Sequence, residues 1–525
     1  MDILLKNGKL VNGNGNPWYR ADLGIQGDRI ARIGKIDGEA EEVVDITGLY
    51  ACPGFIDIHC HTEMRLLSEP LLKGRTSQGI TTQCLGNCGL GVAPVTDETV
   101  DNVEKMLAAI YGKTEEKWNW RSLDDYFSIL EKRKISLNVA SLVPHGNIRA
   151  AVMGFNNRKA SKYEMDKMKE ILRNSLEAGA FGLSTGLVYI PCIFADKEEL
   201  IELCKVVKEY EGIFAVHMRD EGYALIESVE EVLNITRETG VKLQISHFKA
   251  EYRENWGKAS HTLRMIDEAR EAGLDVTFDQ YPYIAGSTML EALLPPWVRE
   301  GGTKKTIERL TDKKTREKIK KDIRESIYGW ENMAKGSGWN NILITSVESP
   351  GNKKYEGKTL EQLASIQNKE PEDALFDLLI EEECAVTEAE FAMCEEDVRM
   401  IMKHRAQMVC SDGLYGGKPH PRVFGTFTRI LGKYVREERV LTLEDAIRKM
   451  TSMPAQRLGL KGRGIIQEGN FADIVVFDAQ KVIDKSTFSE PEQLSEGVIH
   501  VLINGEFVVK NGKHTGRIPG RILRA

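Results

Sequence analysis

Short apolar runs alternate through the middle of the chain with longer charged segments whose apolar positions recur at helical spacing. The runs Phe55 to Ile58, Thr81 to Leu85, Leu137 to Leu142, Gly182 to Thr185, Phe214 to Val216, Lys242 to Ser246, Asp275 to Phe278 and Gln407 to Cys410 read as strands. Strand and amphipathic helix in alternation predict an α/β fold with a parallel sheet, and eight strands are the number that closes a (β/α)8 TIM-like barrel.

The two ends of the chain have another texture. Ile3 to Leu5, a turn at Asn7 and Gly8, Leu10 to Val11, Asp22 to Ile25, a turn at Gly27 and Asp28, and Ile30 to Ile33 read as short strands. Near the other end, Ala472 to Phe477, His500 to Ile503, the hairpin turn Asn504-Gly505 and Phe507 to Val509 repeat the pattern. The division expected is a small β-sandwich domain from residues 1–54 and 463–525 around a barrel spanning 55–462. Within the barrel, a charge-dense stretch from about Pro295 to Asn340 breaks the rhythm. It reads either as a solvated helix pair or as a lid inserted over the strand ends, with bounds near 290–345.

Composition narrows the class. Lys and Arg number 71 against 79 Asp and Glu, a net charge of -8, so no global basic field exists to gather nucleic acid. No apolar run approaches the roughly 20 residues of a membrane span, and the opening MDILLKNGKLVNG lacks the layout of a signal peptide. The nine cysteines are scattered without the regular spacing of a disulfide scaffold, so reduced thiols in the cytoplasm are expected.

In a barrel, residues just past the C-terminal ends of the strands converge on one face. At those positions stand His59 and His61, two apart on an extended segment and so pointing to the same side. Cys88 lies in Gly86-Asn87-Cys88-Gly89, where flanking glycines permit a sharp turn. His217 and His247 close two further apolar runs, and Asp412 follows the last strand. Singly, each has an ordinary alternative: a buried cysteine is a small hydrophobe, and a histidine closing a strand is a hydrogen-bonded core residue. All at the ends of one barrel's strands, they read as metal ligands. Thiolate with imidazole favours Zn2+ over Mg2+ or Ca2+. Zinc polarises a carbonyl and brings the pKa of water to about 7, the two needs of amide hydrolysis, and Asp412 has the character to move the proton.

Here the sequence resembles the amidohydrolase superfamily, and more narrowly the D-aminoacylase (N-acyl-D-amino-acid deacylase) family. The resemblance rests on PGFIDIHCH at Pro53 to His61, SQGITTQCLGNCG at Ser77 to Gly89, FGLSTGLVYIP at Phe181 to Pro191, HMRDE from His217, SHFKA from Ser246, DQYPYIAGST from Asp279, CSDG from Cys410 and HPRVFGTFTR from His420. The motifs cover most of the chain, and the terminal β segments match the family's small β domain. The resemblance implies a tight Zn2+ held by Cys88, His217 and His247, and a weaker second position near His59, His61 and Asp412. Cys88 stands where the superfamily's more usual carboxylated lysine would bridge.

It further implies Asp412 as catalytic acid/base, Lys249, Tyr281, Ser287 and Arg422 as ligands of the substrate's carboxylate, and Tyr189 as a group that polarises the scissile carbonyl. The implied substrate is a small N-acyl-D-amino acid, split to a carboxylate and a free D-amino acid, with no nucleic-acid or membrane partner. One departure stands out: where the family carries an acidic residue, typically Asp, soon after its second histidine, this chain has Glu63 as the nearest carboxylate. Two alternatives remain at this level. A cyclic amidase of the hydantoinase or dihydroorotase kind would keep the barrel and metal but typically use the carboxylated lysine. A non-catalytic scaffold of the same fold would have lost ligands that are all present here.

Overall fold

The computed structural model describes residues 1–112, 116–327 and 329–525. Its centre is a (β/α)8 barrel of parallel strands: Phe55–Asp57, Ile80–Leu85, Asn138–Ser141 continuing as Val143–Pro144, Gly182–Gly186, Ile213–His217, Lys242–Ile245, Val276–Gln280 and Gln407–Val409. Each pairs in parallel with the next. The ring closes just past the ends of the last and first strands, where the Asp412 N–H donates to the His59 carbonyl at 2.8 Å. Most of these strands are buried along their whole length, because helices cover one side and the barrel interior fills the other.

The covering helices follow from their sequence. Lys162–Glu177 buries the stripe Met168, Leu172 and Leu176, and starts at a capping box in which Ser161 accepts from the Glu164 N–H while Glu164 accepts from that of Ser161. Lys197–Glu209 begins at Asp196, whose carboxylate accepts from the Glu199 N–H.

Both ends of the chain enter one nine-stranded sheet, joined where Tyr50–Pro53 runs antiparallel to Ile474–Phe477. The sheet folds over until Arg29 bridges Phe471, enclosing Leu5, Leu23, Ile25, Val476 and Leu502. The sandwich-like body is therefore one curled sheet rather than two. The turn expected at Asn7 and Gly8 is not there. They form a bulge inside the single strand Ile3–Leu10, with Asn7 at φ 64° and its N–H bound to Asp22 Oδ1 at 2.8 Å. The last residues leave the sheet: Leu523 N–H donates to the Val139 carbonyl at 2.7 Å, laying the tail along the third barrel strand.

Between the seventh and eighth strands lies the insertion. It is broader than the 290–345 stretch marked by charge, since its three-stranded antiparallel sheet takes Gly286–Met289, Ile342–Ser346 and Thr387–Glu390, the last lying between the other two. Helices Thr303–Thr311, Lys313–Glu325 and Pro371–Glu381 pack on it around a separate core that includes Leu310, Ile319, Ile344 and Leu375.

Candidate active site

The barrel strands deliver the sequence-marked residues to one cavity at their C-terminal ends. His61, Cys88, Tyr189, His217, His247, Lys249, Tyr281, Ser287 and Asp412 all line it. His59 lies beneath, fully buried. Three of these residues hold left-handed backbone, with φ 55° at Cys88, 36° at His247 and 47° at Asp412. Such conformations cost energy for a side chain larger than glycine's, and at a strand end they turn the residue sharply toward the mouth.

The groups converge closely. His59 Nε2 is 3.3 Å from Cys88 Sγ and 3.3 Å from Asp412 Oδ1, and His61 Nε2 is 3.4 Å from the same oxygen. Cys88 Sγ is 3.5 Å from His247 Nε2. His59, Cys88 and His247 form one compact set of potential ligand atoms, and His59, His61 and Asp412 another. His217 falls in a set with Glu221 and His247, its Nε2 lying 3.7 Å from Glu221 Oε2. Thus His59 adjoins both expected metal positions.

Whether this donor set suits a metal can be judged from its unmet valences. Both ring nitrogens of His217 and Nδ1 of His61 are buried with no hydrogen-bonding partner among the described residues, a costly state unless an electrophile takes the lone pair. Burial works against a Cys88 thiolate, yet the imidazoles of His59 and His247 overcome it and hold the thiol well below its ordinary range. Asp412 is likewise held well below the carboxylate range, burial being outweighed by Arg422 and His59. Imidazoles with free lone pairs beside a thiolate and a carboxylate fit a zinc-like ion.

Behind these candidate ligands stand carboxylates that the strand-end pattern did not mark. Asp279 accepts from the His247 N–H at 2.8 Å and from Gln244 Nε2 at 2.7 Å, and lies 3.3 Å from His59 Nδ1, which turns His59 Nε2 toward Cys88 and Asp412. Glu221 is 3.2 Å from His247 Nδ1. Asp57 accepts from the Ser411 N–H at 2.9 Å and pairs with buried Arg75, fixing the loop that carries Asp412. Glu63 is not at the metal-binding face: its carboxylate accepts from the Gly86 N–H at 2.8 Å and braces the Cys88 loop. Asp57, Glu221 and Asp279 all lie inside conspicuous motifs, and that adjacency was their signal.

The groups expected to meet the substrate are present but engaged. Lys249 Nζ donates to Glu221 Oε2 at 2.5 Å, and Glu221 raises the lysine well above its usual range despite burial. Arg422 Nη1 is 3.0 Å from Asp412 Oδ2, and its guanidinium stacks 4.4 Å from the Tyr281 ring centre. Tyr189 Oη is 2.7 Å from Thr288 Oγ1. Ser287 Oγ donates to the Glu388 carbonyl at 2.6 Å, so it must rotate to serve a carboxylate.

An eight-stranded barrel whose mouth gathers four histidines, a thiol and an aspartate defines a metal-dependent hydrolase. Residues 42–509 match the amidohydrolase family, and the chain belongs to it. It is 36% identical to a D-aminoacylase of Alcaligenes xylosoxydans xylosoxydans, over 99% of this chain and 97% of that one. It is 37% identical to an N-acyl-D-glutamate deacylase of the same organism, over 100% and 96% of the two chains. Among solved structures it resembles N-acyl-D-glutamate deacylase from Bordetella bronchiseptica, complexed with zinc and a phosphonate mimic of the tetrahedral intermediate, with TM-score 0.85, 36% identity and all of both chains covered.

Proposed function

We propose that this protein uses zinc to hydrolyse the amide bond of N-acyl-D-amino acids, releasing a carboxylate and a free D-amino acid. The observation that carries this reading is the convergence of His59, His61, Cys88, His217, His247 and Asp412 on one cavity. The full-length likeness to D-aminoacylase and N-acyl-D-glutamate deacylase supports the substrate class. Cys88, His217 and His247 would hold a tight ion, and His59, His61 and Asp412 a weaker one. Zinc bound there would supply an electrophile for the scissile carbonyl and acidify water.

The remaining work belongs to the chain. Asp412 takes the proton from water at a carboxylate oxygen and passes it to the departing nitrogen. Tyr189 Oη donates to the oxygen on which negative charge develops. Lys249 and Arg422 hold the substrate's carboxylate, helped by Tyr281 and Ser287. Arg422 has a donor for this, since its Nε makes neither a hydrogen bond nor an ion pair among the described residues. A cytoplasmic location suits the chain's free cysteines, and no described helix is long and apolar enough to cross a membrane.

The test is amine release by the zinc-supplemented protein from matched N-acetyl-D- and N-acetyl-L-amino acids, with hydantoin and dihydroorotate alongside. One or more D substrates are expected to be hydrolysed far faster than their L partners. Faster hydrolysis of a cyclic amide, or of the L series, would overturn the assignment.

A further inference from the structure

The insertion's sheet turns an acidic face to the cavity. Gly286 pairs with Glu390 and Thr288 with Glu388, and directly opposed residues of antiparallel strands share a face. All four line the cavity, as does Glu251 from the segment after the sixth barrel strand. The nearby cations Lys249 and Arg422 form their ion pairs with Glu221 and Asp412, not with the glutamates of this wall. Glu251, Glu388 and Glu390 make no ion pair among the described residues. The Glu390 carboxylate accepts from Ser337 Oγ, at 2.6 Å, and from no other group among the described residues. Glu388 is 1% exposed, and among the described residues neither of its carboxylate oxygens has a hydrogen-bonding partner of good geometry.

Such burial is costly without a counter-charge. Desolvation and the repulsion of Glu251 push the Glu388 and Glu390 carboxyls well above the usual range. The insertion's many cations do not relieve them. Arg316, Lys320 and Arg324 turn instead to Glu370, Glu372, Asp373 and Asp377 around the helix Pro371–Glu381. A metal is a poor match, because the three carboxylates belong to none of the compact ligand sets. The cavity also carries apolar wall from Leu90, Ile110, Met333 and Leu414. An apolar stem ending in an ammonium or guanidinium matches both surfaces.

On the hydrolase reading above, we propose that Glu251, Glu388 and Glu390 form a subsite for a cationic side chain, so that the substrate is the Nα-acyl derivative of a basic D-amino acid. The substrate's own carboxylate then lies toward Lys249 and Arg422, and its positive end toward the inserted sheet.

The experiment compares kcat/KM for Nα-acetyl-D-lysine and Nα-acetyl-D-arginine with that for N-acetyl-D-norleucine, which lacks the charge, and for N-acetyl-D-glutamate. It uses the zinc-loaded wild type and the Glu388→Gln and Glu390→Gln variants. Binding of free D-lysine and D-norleucine is measured by calorimetry in the same preparations. A basic-over-norleucine preference of roughly tenfold to a hundredfold, reduced severalfold or more in each variant, is expected. Equal or better use of norleucine or glutamate by the wild type would overturn the subsite, as would variants with an unchanged ratio. Preferential binding of D-lysine with no turnover of any D amide would sink the proposed reaction and leave the subsite standing.

Discussion

Asp412 touches the groups that determine its use. One oxygen faces His59 and His61, and the other faces Arg422. A carboxylate held so low keeps no proton of its own at neutral pH and is ready to accept one. Asp412→Asn should cut turnover by about a hundredfold or more while the zinc held tightly by Cys88, His217 and His247 stays bound. Near-normal turnover would remove its catalytic role, and lost zinc would make it chiefly a ligand. At this scale the sequence displayed the candidate ligands that the structure brings together, because strand ends are visible as the ends of apolar runs. It did not display Asp57, Glu221 or Asp279 as supports, since what makes them so is contact with Ser411, His247 and His59 across the barrel.

At the scale of elements, all eight barrel strands were legible, because a strand buried on both faces is a short continuous apolar run. Asn7-Gly8 misled because its left-handed preference serves a bulge as well as a turn, and only the pairing with Tyr19–Gln26 decides between them. The helix Leu443–Met450 carries a consequence for stability. Its Lys449 is fully buried beneath the last barrel strand, donating to the His404 carbonyl at 2.5 Å, and burial brings its pKa down to about 8. The unfolded chain keeps this proton up to pH about 10.4. Between those values the unfolded state binds more protons, so stability contributed by this site rises with pH, and the penalty is fully present below pH 8. Relative to Lys449→Met, the wild type should gain about 2 kcal/mol from pH 8 to 10 in denaturant titrations, and a flat difference would refute the assignment.

Over the whole molecule, the terminal sheet, the barrel and the insertion each keep a core of their own, while the reactive groups collect where the insertion meets the barrel mouth. Charge density marked only the helical part of the insertion. Its sheet escaped notice because Thr387–Glu390 reads as polar surface, although all four residues are buried. That sheet brings the acidic wall to the cavity, so the feature that distinguishes this site's surroundings was the least visible in the sequence.

A zinc-dependent amidase at this mouth would show itself when zinc is titrated into metal-depleted protein and bound zinc per chain and amine release from N-acetyl-D-amino acids are followed in the same samples. Turnover should be near zero without metal and rise in step with the first equivalent bound. Full turnover by protein shown to hold no metal would contradict the account.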